Sequence, residues 1–277
     1  MKLTLRHIPV HPLLKAFVEQ IFVLEADSRI PDPDMKIIVP DGCVKLVIPV
    51  GNGLIGQREG YSRTSVSDQI TLVGIADIPF TVDVQQDAPS TILTVELSPL
   101  GVYRFFAFSQ SEAKNYILHI DEVFGRQSKE IEQKIADAIS IEDKADVIQA
   151  FLISRILQLG IACDSIYEYC IQRIKSTRGG VSVKELEIET GYSSRWLNKK
   201  FEDKIGISPK TLSAITRFQF VFQALANNPQ MILQNKEYYH LYYDQSHFIK
   251  EFKRFTGMPP KQFESMENQF STIFYRK

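Results

Sequence analysis

The feature that most constrains this chain is a pattern it carries twice. Residues 191–212 read "GYSSRWLNKKFEDKIGISPKTL", and residues 242–263 read "YYDQSHFIKEFKRFTGMPPKQF". At an offset of 51, the pairs Tyr192/Tyr243, Lys199/Lys250, Phe201/Phe252, Gly206/Gly257, Pro209/Pro260 and Lys210/Lys261 are identical. Chance gives roughly one such identity over this length, so the echo marks a duplicated structural unit. Each copy has the grammar of a short helix between two stops. In the first, "SVKE" at 182–185 has the form of a capping box, predicting a helix from Ser182 to about Thr190. Gly191 suits a turn that needs positive φ. Ser193 caps a second helix over about 194–204, whose Leu197 and Phe201 are spaced i, i+4 on one face. Gly206 ends it, and Ser208-Pro209 starts a long helix as a cap followed by proline in the first turn.

Two short helices around a glycine turn are the helix-turn-helix, whose second helix enters the DNA major groove. The face opposite Leu197 and Phe201 presents Ser194, Arg195, Asn198 and Lys199. Arg makes a bidentate contact to guanine and Asn to adenine, while Lys neutralises phosphate or reads guanine. Charge supports a polyanion partner for this part alone. From Arg178 to Lys277 there are 15 Lys/Arg against 10 Asp/Glu, a net of +5; the first 177 residues hold 17 against 23, a net of −6.

The last hundred residues resemble the DNA-binding domain of the AraC/XylS family of bacterial transcription regulators. The resemblance is carried by "ELEIETGYSSRWLNKKFEDKIGISPK", by "AITRFQF" on the connecting helix and by "YYDQSHFIKEFKRFTGMPPKQF". It implies two helix-turn-helix units at either end of a linking helix, here about Pro209 to Ala226, each placing a recognition helix in successive major-groove faces of one double-stranded DNA. It implies base-reading positions at Arg195, Asn198 and Lys199 in the first unit and at Gln245, Ser246 and Lys250 in the second. Lys250, Lys253 and Arg254 would anchor the second unit on phosphates. Lys199 and Lys250 also read as solvated or phosphate-bound residues, and Gln245 as part of a local turn. Trp196 and His247 read as packed residues. Two departures stand out. Leu241 occupies the place of a turn glycine, where a left-handed conformation would cost ~1 kcal/mol or more. Glu187 replaces a usual Ala.

The N-terminal third reads as β structure. One opening helix is expected at "HPLLKAFVEQIFVLE", with Leu13, Leu14, Phe17, Val18 and Ile21 at helical spacing. Short β-branched runs follow ("KIIVP", "CVKLVIPV", "QITLVGI", "PFTVDVQ", "STILTVEL"), separated by turn clusters, which predicts a barrel or sandwich. From about residue 100 the spacing turns helical, at "PLGVYRFFAF" and near 128–140, 143–160 and 164–176, with Ile131, Ile135 and Ile139 as one stripe. "TRGG" at 177–180 reads as a linker. The expected fold is therefore α+β: a β-rich, cupin-like sensor or dimerisation domain over 1–125, linker helices over 126–177, and an all-α DNA-binding domain over 178–277. "PLLKAFVEQIFVLE", "VPDGCVKLVIPVG" and "VELSPLGVYRFF" resemble an N-terminal domain found on a subgroup of these regulators.

Other functions are weighed against this one. A metal-dependent cupin enzyme needs clustered histidines and a carboxylate. His7, His11, His119, His240 and His247 form no HxH pair, and none is expected in the strands. No catalytic residue, metal or cofactor is expected. Cys43, Cys163 and Cys170 lack CxxC spacing and fall short of a four-cysteine zinc site. Cys43 reads as a small strand residue before a redox sensor, Lys45 being the one basic neighbour able to lower its pKa. A protein-interaction module without ligand is the second alternative. No signal peptide or membrane span is expected, which places the chain in the cytoplasm without a membrane partner. The family resemblance implies activation, hence RNA polymerase as a partner, and leaves room for a small-molecule effector and a homodimer.

Overall fold

A computed structural model describes residues 3–27, 36–160, 165–227 and 241–264. Ten strands form two antiparallel sheets. The larger has the order β1-β2-β9-β4-β7-β10: Leu3–Ile8, Val18–Ala26, Ser90–Leu97, Val44–Val50, Thr71–Val73 and Ile117–His119. The smaller has the order β3-β8-β5-β6: Ile37–Ile38, Phe80–Val84, Leu54–Arg58 and Tyr61–Ser65. The hydroxyl of Tyr61 bridges the sheets: it donates to the carbonyl of Ile117 at 2.6 Å and accepts from the Ile117 amide at 3.1 Å. The expected β domain of short antiparallel strands is thus present.

The larger sheet is covered on both faces, and side-chain alternation divides the work. On β4, Val44, Leu46 and Ile48 are fully buried against helices, while Lys45 and Val47 point between the sheets. On β9, Leu93, Val95 and Leu97 face the helices, and Ser90, Ile92, Thr94 and Glu96 face inward. The same split explains why the opening segment forms no helix. Pro12–Leu14 makes only one 3₁₀ turn, and Val18–Ala26 is strand, paired to β1 on one side and β9 on the other. With Ile21 and Val23 buried on one face and Phe22 and Leu24 on the other, the apolar run loses its alternation and mimics helical spacing. The first strand places His7 in β1, and His119 ends β10, so the histidines do not all avoid the strands.

The helical layer follows the expected order. Numbering the described helices, these are α1 (Pro99–Phe105), α2 (Ile120–Phe124), α3 (Gln127–Asp137), α4 (Ile141–Leu159), α5 (Ser165–Ser176), α6 (Val183–Thr190), α7 (Ser194–Lys204), α8 (Pro209–Asn227), α9 (Gln245–Thr256) and α10 (Pro260–Glu264). Ile131 and Ile135 are buried on α3, but Ile139 lies beyond its end and is 97% exposed, so the isoleucine stripe is two residues long. Cys163 and His240 lie outside the described residues.

One apolar core runs from the outer face of the larger sheet through α1 and α5 into α7, α8 and α9. Tyr167 of α5 joins the parts, its ring 5.5 Å from Tyr103 of α1 and 5.6 Å from Phe201 of α7. The "TRGG" turn is held close as well. Gly179, at φ +74°, lies where a Cβ would stand 2.0 Å from the carbonyl oxygen of Ser213 on α8.

Two glycines separate local backbone cost from interface cost. Gly191 has φ +76° and open space around its missing Cβ. Gly206 has φ +93°, and a Cβ there would stand 2.7 Å from Ile75 and 2.9 Å from the Gln110 carbonyl of the β domain. Gly191→Ala should cost about 1 kcal/mol, the left-handed penalty alone, and Gly206→Ala roughly 2–3 kcal/mol. Denaturant unfolding of both variants checks the difference; equal costs would mean that the β domain yields freely at this contact.

Candidate nucleic-acid interface

The first helix-turn-helix is built by local chemistry that the sequence spells out. Ser182 accepts from the Glu185 amide at 3.2 Å, and Glu185 accepts from the Ser182 amide at 2.8 Å, closing the capping box on α6. The Gly191 amide returns to the Glu187 carbonyl at 2.9 Å in the left-handed turn. Ser193 caps α7 by accepting from the Trp196 amide at 3.3 Å. Leu186, Leu197 and Phe201 are fully buried, which fixes the rotation of α7. Its outer face then shows Arg195 and Lys199 exposed, with Ser194 and Asn198 half-buried. Ser194 donates to the Glu187 carboxylate at 2.5 Å, and that hydrogen bond holds the Glu187 carboxyl below its usual range against slight desolvation. Glu187 therefore ties α6 to α7. Trp196 stacks on Tyr192 with ring centroids 4.2 Å apart.

The helix joining the units, α8, buries Leu212, Ile215, Phe218, Val221 and Phe222. Against it lies α9, capped by Asp244, which accepts from the His247 amide at 2.7 Å. Phe248, Phe252 and Phe255 of α9 are buried, the last two with rings 5.6 and 5.0 Å from Phe218. Glu251 is buried too and receives Arg217 of α8 through two hydrogen bonds of 2.6 and 3.1 Å. Breaking such a pair from one side is far costlier than the pair is worth, because a buried charge is left alone. Gln245, Ser246, Lys250, Lys253 and Arg254 occupy the exposed face. Ile249, where the first unit has Asn198, is exposed with them. Leu241 is half-buried against the apolar core, and the residues that lead into its turn lie outside the described ones. The helix expected before α9 falls in 228–240, outside the described residues. His247 is exposed rather than packed: its ring edge meets Tyr242 at 5.5 Å, and its Nε2 lies 3.7 Å from Glu251.

Arg254 has a partner that sequence reasoning did not anticipate. It pairs at 2.7 Å with Asp77 of the β domain, which also receives Lys114 at 2.8 Å and the Asn115 amide group at 2.7 Å. Burial alone would raise the Asp77 carboxyl. The hydrogen bonds from Lys114 and Asn115, with the charges of Lys114 and Arg254, outweigh it and hold the group below the usual carboxylate range. No sequence signal joins positions this far apart.

A second polar cluster, also invisible in sequence, lies where the β domain meets α5 and α8. Asp41, Cys43 and Glu96 bring their ligand-type atoms within 4.8 Å of one another. Lys45 stands among them, its Nζ 2.5 Å from Asp41 and 3.6 Å from Glu96. Burial favours neutral Lys45, but the two carboxylates outweigh it and keep the ammonium charged. Burial, then Asp41 and Glu96, push the Cys43 thiol well up, more than Lys45 pulls it down. A protonated thiol is a poor nucleophile, which disfavours the redox-sensor reading. A metal ion would have to displace the ammonium that already supplies the positive charge here.

Comparison with known proteins fits this arrangement. A helix-turn-helix domain family matches residues 186–266, and a domain of unknown function (DUF6597) matches residues 6–119. A comparison with curated protein sequences gives no match. Among solved structures, ToxT from Vibrio cholerae is 12% identical, covering 87% of this chain and 97% of its own, with a TM-score of 0.48. ToxT with a bound unsaturated fatty acid is 13% identical over 93% of this chain and 96% of its own, at 0.46. The AraC-like transcriptional activator CuxR is 12% identical over 79% and 85%, at 0.31.

The Asp77 junction makes a pH-dependent contribution whose sign follows from its lowered pKa. A carboxylate favoured in the folded state stabilises it above the unfolded carboxylate range, and that contribution is lost as pH falls through the still lower folded value. Asp77→Asn should therefore cost about 1–2 kcal/mol at pH 7 and progressively less below roughly pH 4. Urea unfolding of both proteins across pH 3–7 measures the difference; a gap that widens on acidification would contradict the assignment.

Proposed function

We propose that the chain, with a helix-turn-helix domain at residues 186–266 behind a DUF6597 domain at 6–119, is a DNA-binding transcription regulator that reads adjacent major-groove faces with α7 and α9 and activates transcription. The observation that carries the proposal is the pair of outward polar faces on two helices whose apolar backs share α8. The nineteen residues of α8 span ~28 Å at 1.5 Å per residue, close to one ~34 Å turn of DNA. The working division is a sensor or dimerisation part over 1–125, linker helices over 126–177 and a DNA-binding part over 178–277. RNA polymerase is the partner that activation requires, and a second copy of the chain is the partner that paired sites would favour. The β domain acts as a sensor rather than an enzyme or a bare docking module, because it encloses a cavity that touches the wall against α8.

The two units divide the work. Arg195 and Asn198 supply hydrogen-bonding groups for guanine and adenine. Ile249 at the matching place on α9 offers only apolar contact with a thymine methyl. The first unit then carries most discrimination, while Lys250, Lys253 and, once freed from Asp77, Arg254 hold phosphates, with Gln245, Ser246 and Lys199 at the groove edge. Binding selection on randomised half-sites tests this. Arg195→Ala or Asn198→Ala should cost ~1–3 kcal/mol on the selected site and relax its sequence there. Lys253→Ala should weaken all sequences alike and lower the salt slope by about one. An unchanged sequence preference in both α7 variants, with its loss in Gln245→Ala, would reverse the assignment, and salt-independent binding would end the DNA reading.

A further inference from the structure

The larger sheet is packed on its helical face but incompletely filled on the other. Between the two sheets lies a cavity of about 150 Å³, walled by apolar residues such as Phe22, Leu24, Val47, Phe80 and Ile92. An apolar cavity of this size is enough to hold a benzene-sized molecule. The lining is mostly apolar, with Ser65, Asp83 and Thr94 among its polar members, and β9 brings polar groups to it at both of its ends. Glu96 lies at one end with Asp41 and Lys45, and Ser90 at the other. Ser90 is 3% exposed, and its hydroxyl has no hydrogen-bond partner among the described residues. A buried polar group left this way is where a bound molecule or water completes the structure.

The polar end has a definite sign. Its ammonium, Lys45, is already held by Asp41 at 2.5 Å. Glu96 is 7% exposed; Gln20 donates to its Oε2 at 2.6 Å, while its Oε1 lies 3.6 Å from Lys45, beyond a good hydrogen bond. Two carboxylates thus face one committed cation. An entering carboxylate would meet Asp41 and Glu96 at close range in a poorly solvated site, whereas an ammonium would find Glu96 Oε1, which Lys45 reaches only at 3.6 Å.

We propose that the cavity between the two sheets is a ligand site for a small apolar amine, its hydrocarbon body among Phe22, Val47 and Ile92 and its ammonium on Glu96. The site has a route to the DNA-binding part. The segment carrying Asp41 and Lys45 separates the cavity from α8: the Pro40 carbonyl accepts from Gln219 at 2.6 Å, and Gly42 lies where a Cβ would be 3.3 Å from Leu212. Movement of this segment on binding shifts the helix that sets the spacing of α7 and α9. The ligand assignment stands on the cavity; its regulatory consequence rests on the DNA-binding reading given above.

The test titrates the full chain with hexylamine and benzylamine, then with hexanoate, benzoate and hexanol, by calorimetry and thermal unfolding at pH 7.5. The amines should bind one per chain and raise the melting temperature, with the carboxylates at least tenfold weaker. Glu96→Gln should weaken the amines at least tenfold while leaving hexanol unchanged. Ile92→Phe, which fills the cavity and keeps Glu96, should abolish binding of all the probes and serves if Glu96→Gln does not fold. Equal or tighter carboxylate binding, no binding by either amine, or amine binding that survives Ile92→Phe overturns the site. DNA affinity of the same preparation, with and without benzylamine, separates the two claims. A change supports the coupling, and amine binding without any change removes it. Failure of the unliganded chain to bind DNA removes the regulator reading and leaves the ligand result as measured.

Discussion

Strands β2, β9, β4 and β7 are covered on both faces, and the two faces serve different ends. Leu46, Ile48, Leu93, Val95 and Leu97 are fully buried on the side of the helices. Deleting one of these side chains removes roughly 2–5 kcal/mol, a large fraction of the net stability of any domain. The helices they seat are also those that seat α7 and α8, since Tyr167 of α5 touches both Tyr103 and Phe201. The helices of the helix-turn-helix domain are therefore positioned by the same apolar layer that holds the β domain together. The inward face of the sheet, relieved of that duty, keeps Glu96, Lys45 and Ser90 beside a cavity.

This division explains what the sequence made legible. The first helix-turn-helix could be read nearly to the residue because its determinants are local: a capping box four residues long, a glycine in the left-handed region, and an i, i+4 apolar pair. The connecting helix was legible for the same reason, its Ser208-Pro209 start appearing with the Thr211 amide donating to Ser208 at 3.2 Å. Segment 18–26 was misread because burial on both faces erases the period of two, leaving an apolar run that fits a helix as well as a strand. Ile139 was misread because periodicity continues past the point where the backbone leaves the helix at Ala138. What could not be read at all were pairings across the chain. Asp77 with Arg254, and Glu96 with Lys45, join positions that carry no mutual signature.

Helices α7 and α9 differ in what holds them. α7 combines local ties with apolar packing: Ser193 caps it, Glu187 of α6 reaches Ser194 at 2.5 Å, and Phe201 and the Gly206 that follows it pack on α5 and the β domain. α9 depends on distant partners. Its Glu251 is seated by Arg217 of α8, and its Arg254 by Asp77 of the β domain. The contrast in burial decides how each contact behaves. Arg217 and Glu251 are largely withdrawn from water, so this pair is strong only while intact and acts as a fixed joint between α8 and α9. Arg254 is half-exposed, so its pair with Asp77 is screened and exchangeable.

An exchangeable pair at that position has a consequence for how α9 meets a polyanion. A guanidinium binds phosphate and carboxylate with the same planar fork, so the two compete for Arg254. Asp77 does not lose its counter-charge when Arg254 leaves, because Lys114 remains at 2.8 Å and Asn115 at 2.7 Å. The carboxylate stays satisfied, so release of Arg254 leaves no buried charge unpaired, in contrast to what would follow at Glu251. The contact between the β domain and α9 can thus be broken by a competing anion at modest cost, while the joint between α8 and α9 persists. A shift in the segment between Pro40 and Lys45 would then be passed to α9 through α8, by way of Gln219 and the Arg217–Glu251 pair, whether or not Arg254 is on Asp77.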